Sequence, residues 1–194
     1  GEFVHRYDKR KLVPFGEYIP LGGIQLGFGG PLIQGGMDFS PGPPIQKNPS
    51  IDKTPFGMLI CYESIFPELS REAAREGAQF LVNVTNDRWF GLSAAPFQHL
   101  QMAILRAVEQ RKPLLRVANY GVSAWIDETG VIRQQLGLFD TGRLAVDFKP
   151  NSYRTINSYL GDWSIFILIL ATGVWAIVRI RIEKKEGITY ERLS

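Results

Sequence analysis

Cysteine is almost missing from this chain: Cys61 is the only one in 194 residues. A lone thiol excludes an internal disulfide, and with only His5 and His99 beside it there is no zinc-ligand spacing. No metal or cofactor is therefore expected. Charge of one sign is also scarce, with 22 Lys/Arg against 19 Asp/Glu, a net +3. Two of those three net positives fall from Trp163 onward. The remainder offers no basic face for a phosphate backbone, so nucleic acid is not an expected partner. A G-x-S-x-G elbow and a phosphate-binding glycine loop are absent too. The chain opens at Gly1 without methionine or a leader-like segment, and Gly1 to Tyr7 looks like a turn entering a strand. We therefore expect a fragment whose upstream portion is not included.

What is present suits one folded domain with an appendage: 45% hydrophobic and 21% charged residues support a real core. Trp163 to Val178 reads WSIFILILATGVWAIV, sixteen residues without a charge. As a helix this run spans about 24 Å, close to the roughly 30 Å hydrocarbon layer. It is apolar on every face, so it has no side to lay in water. Arg179, Arg181, Lys184 and Lys185 follow it and place the C-terminus in the cytoplasm. The expected organisation is a catalytic domain over 1–160 on the periplasmic side, a membrane helix over 161–180 and a cytoplasmic basic tail over 181–194.

Along the domain, Leu21 to Pro55 reads as a loop rich in glycine and proline that carries Ile24, Leu26, Phe28 and Phe39. Such residues either tuck under the domain or form a lid that meets lipid. Gly57 to Ile60 predicts a strand ending at Cys61, and Pro67 to Gly77 a helix with ordinary start and stop signals. Phe80 to Thr85 predicts a buried strand, and Pro96 to about Arg111 a helix. Strands are expected over Pro113 to Ala118, Val122 to Asp127, Val131 to Leu136 and Arg143 to Phe148. This order predicts a mixed α/β layer fold.

A thiol at a strand-to-helix junction is exposed by the turn and sits beside backbone N–H groups able to hold an oxyanion. The alternative for Cys61 is a small buried hydrophobe. Lys9 and Lys11 are candidate cations, although their charge run also fits a solvated strand edge. Glu17 and Glu63 are candidate carboxylates. Neither histidine shows a partner pattern for a Cys-His dyad, and His99, early in its helix, reads as a capping or packing residue.

Four motifs then carry a resemblance. Tyr7-x-Lys9-x-x-Leu12-Val13-Pro14-Phe15-Gly16-Glu17 resembles the lysine motif of the nitrilase superfamily in its apolipoprotein N-acyltransferase branch. Ile60-Cys61-Tyr62-Glu63-Ser64 to Glu68 is similar to that branch's nucleophile motif, and Asn83 to Gly91 to the loop that follows. Pro96-x-Gln98-His99, Arg106 to Glu109 and Pro113 to Arg116 continue it.

The resemblance implies an α-β-β-α sandwich, incomplete at its N-terminus, followed by one transmembrane helix. It implies a Glu-Lys-Cys triad in which Lys9 and Cys61 match the lysine and the nucleophile. Glu17, Tyr62 and Glu63 match supporting positions, and Trp89 and Phe90 a site-lining loop; Phe28 joins them as a substrate-binding candidate on the apolar loop. The triad glutamate would lie upstream of Gly1, which implies that this chain alone is inactive. The implied reaction moves the sn-1 acyl chain of a phospholipid onto Cys61 as a thioester. It then passes to the α-amine of a diacylglyceryl-cysteine apolipoprotein, in a multi-pass protein of the bacterial inner membrane. An amidase acting on small amides and a non-catalytic membrane-anchored module remain open on the residues alone.

Overall fold

The computed structural model describes residues 5–18 and 39–186. A short hairpin strand, β1 (Ser50–Ile51), leads into β2 (Thr54–Ile60). Helix α1 (Pro67–Arg75) crosses to β3 (Phe80–Asn86), and α2 (Ala95–Gln110) crosses to β4 (Leu114–Asn119). The strands β5 (Ser123–Ile126) and β6 (Ile132–Leu136) complete one open sheet in the order β1-β2-β3-β4-β5-β6. The centre, β2-β3-β4, is parallel because each connection is a helical crossover, while the tight connections at both edges give antiparallel pairs.

The register decides which side chains meet. Leu59 lies beside Asn83, Asn83 beside Arg116, and Arg116 beside Ala124, so one row crosses the sheet on a single face. On that face Leu81, Leu114 and Ile126 are wholly buried with Leu100, Ala103 and Ala107 of α2. Burying each large aliphatic side chain contributes roughly 1.5–3 kcal/mol, and the alanines let the helix approach the sheet. Gly57 serves the same purpose under α1, since a Cβ there would stand 2.7 Å from both Ala73 and Leu81. The β5–β6 turn is set by Asp127, whose Oδ1 accepts from Thr129 N, Thr129 Oγ1 and Val131 N. Burial raises the Asp127 carboxyl, but these bonds and Arg133 outweigh it and hold it at about 2.

One expected strand is not there. Arg143 to Phe148 has no ladder partner among the described residues; Leu144, Val146 and Phe148 alternate half-buried along an irregular extended segment. The period-two pattern is real, but Phe148 spends it edge-on against Phe80, 5.2 Å away, rather than on a sheet edge. A short helix unforeseen in the sequence, α3 (Ile156–Leu160), then docks on α1 and α2 and precedes α4 (Trp163–Glu186). The stretch Trp163–Lys184 is long and apolar enough to cross a membrane, and none of it is buried against the domain. Its 22 residues span about 33 Å. This helix supports a membrane location for the protein.

Candidate active site

Strand β2 ends at Ile60, and the chain turns at once. Cys61 takes φ 53°, a left-handed conformation that costs a non-glycine residue about 1–2 kcal/mol, and opens the 3-10 turn Cys61–Ile65. Strain of this kind marks functional turns when the surroundings enforce it. Two sets of buried polar groups do so here.

The first centres on Glu63, which is fully buried. Its Oε2 accepts from Ile60 N at 2.8 Å and Tyr7 Oη at 3.3 Å, and its Oε1 from Arg10 N at 2.5 Å and Lys11 N at 3.2 Å. Burial, then the Glu63 charge, raises the Tyr7 phenol well above its ordinary value, so it stays a donor. With both oxygens occupied by four donors, Glu63 is a clamp: it fastens the segment carrying Lys9 to the cysteine turn. Lys9 Nζ itself contacts both oxygens of Glu17, at 2.5 and 2.7 Å, and Glu17 Oε2 also accepts from Val13 N at 2.9 Å. Among the described residues no hydrogen bond joins Lys9 to Cys61; what Glu63 holds on the cysteine turn is the backbone just after Lys9.

The second set lies beneath the turn, and although its residues fall in the motifs that carry the resemblance, their joining into one network was not expected from the sequence. His99 is neither a cap nor simple packing. It is buried, with Nδ1 donating to Asp87 Oδ1 at 2.9 Å and Nε2 facing Ser64 Oγ at 2.9 Å and the Cys61 carbonyl at 3.1 Å. Asp87 Oδ1 also accepts from Thr85 Oγ1, and Oδ2 from Arg116 Nη2 at 2.7 Å. Arg116 reaches Asn83 Oδ1 as well, and Asn83 Nδ2 donates to the Leu59 carbonyl at 2.9 Å. Burial pushes the Asp87 carboxyl up, but the His99 hydrogen bond and the Arg116 charge more than offset this and hold it below the usual range. Burial lowers the Arg116 guanidinium against the pull of Asp87. The fit leaves no slack, since a Cβ on Gly121 would collide with the Asp87 carboxylate. The sheet register, which sets Asn83 beside Arg116, is what joins these motif residues.

Cys61 is partly exposed and not in a disulfide. Two open clefts share Leu12, Phe39 and Pro41 as a wall, and Cys61 lines neither. One, ≈ 440 Å³, contains Lys9 and Glu17; the other, ≈ 580 Å³, contains Tyr62, Phe66 and Tyr18. Of the expected substrate contacts, Trp89 is 83% exposed and Phe90 stands edge-on to His99 at 5.7 Å; neither lines these clefts. Phe28 lies outside the described residues. Among the described residues no His, Cys, Asp and Glu group could hold a metal ion.

A thiol on a strained strand-end turn, tied to a lysine-glutamate pair upstream, defines a class. Residues 1–157 match the carbon-nitrogen hydrolase family, and the chain belongs to it. The open mixed sheet under α1 and α2 is an α/β, nitrilase-like fold of that family.

The particular likeness is to apolipoprotein N-acyltransferases. That of Geobacter metallireducens is 41% identical over 181 residues, 93% of this chain and 34% of that protein. That of Haemophilus ducreyi is 38% identical over 181 residues, 93% of this chain and 36% of that protein, and that of Caulobacter vibrioides 39% over 190 residues, 94% and 34%. The chain thus spans about a third of the length of these curated relatives.

Proposed function

We propose that this chain belongs to an apolipoprotein N-acyltransferase in which Cys61 is the acyl carrier. The observation that carries this reading is the extent of the likeness to proteins of that name. At 93% of the chain it cannot fit within residues 1–157 and must run on into α4. The buried clamp on the cysteine turn supplies the physical support.

In this reading the Cys61 Sγ attacks the ester carbonyl of a phospholipid acyl chain. The carbon–oxygen bond breaks, a lysophospholipid leaves as the protonated alcohol, and a thioester remains on Cys61. The α-amine of a diacylglyceryl-cysteine then attacks the thioester carbon, the carbon–sulfur bond breaks, and the thiol regains its proton. In both halves the charge on the carbonyl oxygen falls to Lys9 and to the Tyr62 N–H at the head of the 3-10 turn. Glu17 holds Lys9 in place, Glu63 holds the lysine segment on the turn, and Trp89, Phe90 and Phe28 contact the lipid chains.

Both substrates reside in a bilayer, and α4 keeps the domain beside them. We assign 1–160 to the periplasmic side of the inner membrane, 161–180 to the span and 181–194 to the cytoplasm, within a multi-pass protein. The positive residues after Val178 support that orientation.

The test uses the full-length protein with phospholipid vesicles and no acceptor. A hydroxylamine-labile fatty acyl mass on Cys61, absent in Cys61→Ser, is the expected result. Hydrolysis of small amides without such an adduct would move the reading to a hydrolase.

A further inference from the structure

The geometry points to His99 as a positioning residue that aims the oxyanion donor of Cys61 chemistry; the inference rests on the reading in which the Tyr62 N–H receives the developing charge. The carbonyl oxygen of Cys61 and the N–H of Tyr62 belong to one planar peptide group and point to opposite sides of it. Whatever grips the oxygen therefore aims the N–H. That oxygen lies 3.1 Å from His99 Nε2 and 3.2 Å from Ser64 Oγ, and those two atoms are 2.9 Å apart. The carbonyl is thus the acceptor in a closed triangle: with Nδ1 committed to Asp87, the ring donates Nε2–H to it as the imidazolium, and beside the neutral ring the donor is the Ser64 hydroxyl.

The ring that anchors this triangle cannot slide. Asp87 holds its far nitrogen, Phe90 packs edge-on with it, the rings at 79°, and Arg116 and Thr85 fix Asp87. Arg116 in turn bonds Asn83, whose amide returns to the carbonyl of Leu59, two residues before the cysteine. The bonds run from the Cys61 carbonyl through His99, Asp87, Arg116 and Asn83 back to the strand that delivers Cys61. Such a loop fixes the peptide plane against the strand itself and helps to enforce the φ of 53° at Cys61. Among the described residues no hydrogen bond joins His99 to the Cys61 sulfur, so the histidine acts through the peptide plane and not as the thiol's partner.

The experiment separates aiming from support. In the full-length protein, Cys61 is acylated by p-nitrophenyl butyrate in single turnover, a step that builds an oxyanion. In parallel it is alkylated by iodoacetamide, a displacement that does not. Cys61→Ser supplies the background for both. His99→Ala is expected to slow acylation about 100-fold, the order seen when one oxyanion donor is lost, and to change alkylation less than about 2-fold. His99→Gln, which restores a polar group near the carbonyl, is expected to recover part of the acylation rate. Acylation as fast as wild type in His99→Ala overturns the inference, and so does an equal fall in acylation and alkylation. The activated ester keeps the outcome separate from the acyl-transfer reading: wild type that accepts this ester but never forms a thioester with phospholipid vesicles sinks that reading, while the variant ratio still decides the role of His99.

Discussion

Two buried polar clusters divide the work of this molecule, and they are built on opposite principles. Under Cys61 the charges are matched: Arg116 and Asp87, both fully buried, face one another at 2.7 Å, with His99 and Asn83 completing the set. At the other end of the domain Lys112, 1% exposed, has no carboxylate partner among the described residues. Its ammonium donates to the carbonyls of Asn151 and Tyr153, at 2.7 Å each, and to Asn151 Oδ1 at 3.2 Å. Gln110, Ser158 and Thr155 extend this second cluster to α3, which leads directly into α4. The difference is one of purpose. A matched ion pair fixes side chains on three elements around one carbonyl, while a lone ammonium gathers backbone carbonyls and binds an irregular chain to the domain.

The comparison breaks most readily at its ion pair. Arg116→Met leaves Asp87 buried without its charge partner, and a loss of about 3–5 kcal/mol is expected in urea unfolding of the full-length protein. The second cluster yields less. Lys112→Met strands the Asn151 and Tyr153 carbonyls at a cost of about 1–3 kcal/mol, with faster proteolysis between Gly137 and Leu160 while Cys61 alkylation stays as in wild type.

The same variant sharpens the contrast through pH. Burial, then Arg154, lowers the Lys112 ammonium to about 8, so its charged form is disfavoured in the folded state. That penalty is complete below pH 8 and fades as the pH rises toward the unfolded value of about 10.4, so stability gains over this window. Lys112→Met is expected to abolish the gain. The smallest effect is at Thr155, which caps α3 through Ser158 N and donates to the Glu109 carbonyl. Thr155→Ala is expected to lower stability by about 1 kcal/mol, measured by the same unfolding curve.

The contrast also explains what could be read from the chain. Lys9, Glu17, Cys61 and Glu63 sit in two short segments, so local spacing was enough to nominate all four. Their division of labour was not legible, because Glu63 becomes a clamp only when Tyr7, Arg10 and Lys11 arrive from more than fifty residues away. Asn83, Asp87, His99 and Arg116 lie in the motifs that carry the resemblance, but nothing in their spacing showed that they share one network; the parallel crossovers through α1 and α2 bring them together. The sheet centre and α4 were clear from apolar runs, whereas α3 was hidden because five residues carry too little periodicity.

The Glu63 clamp also has a meaning in time. Its donors lie 52 to 56 residues upstream, so the lysine segment docks on the cysteine turn only once the chain has closed over that distance. A nascent chain therefore carries Cys61 without the lysine segment docked on its turn. In the proposed reading, an acyl acceptor at Cys61 would thus come with the finished fold and go with it.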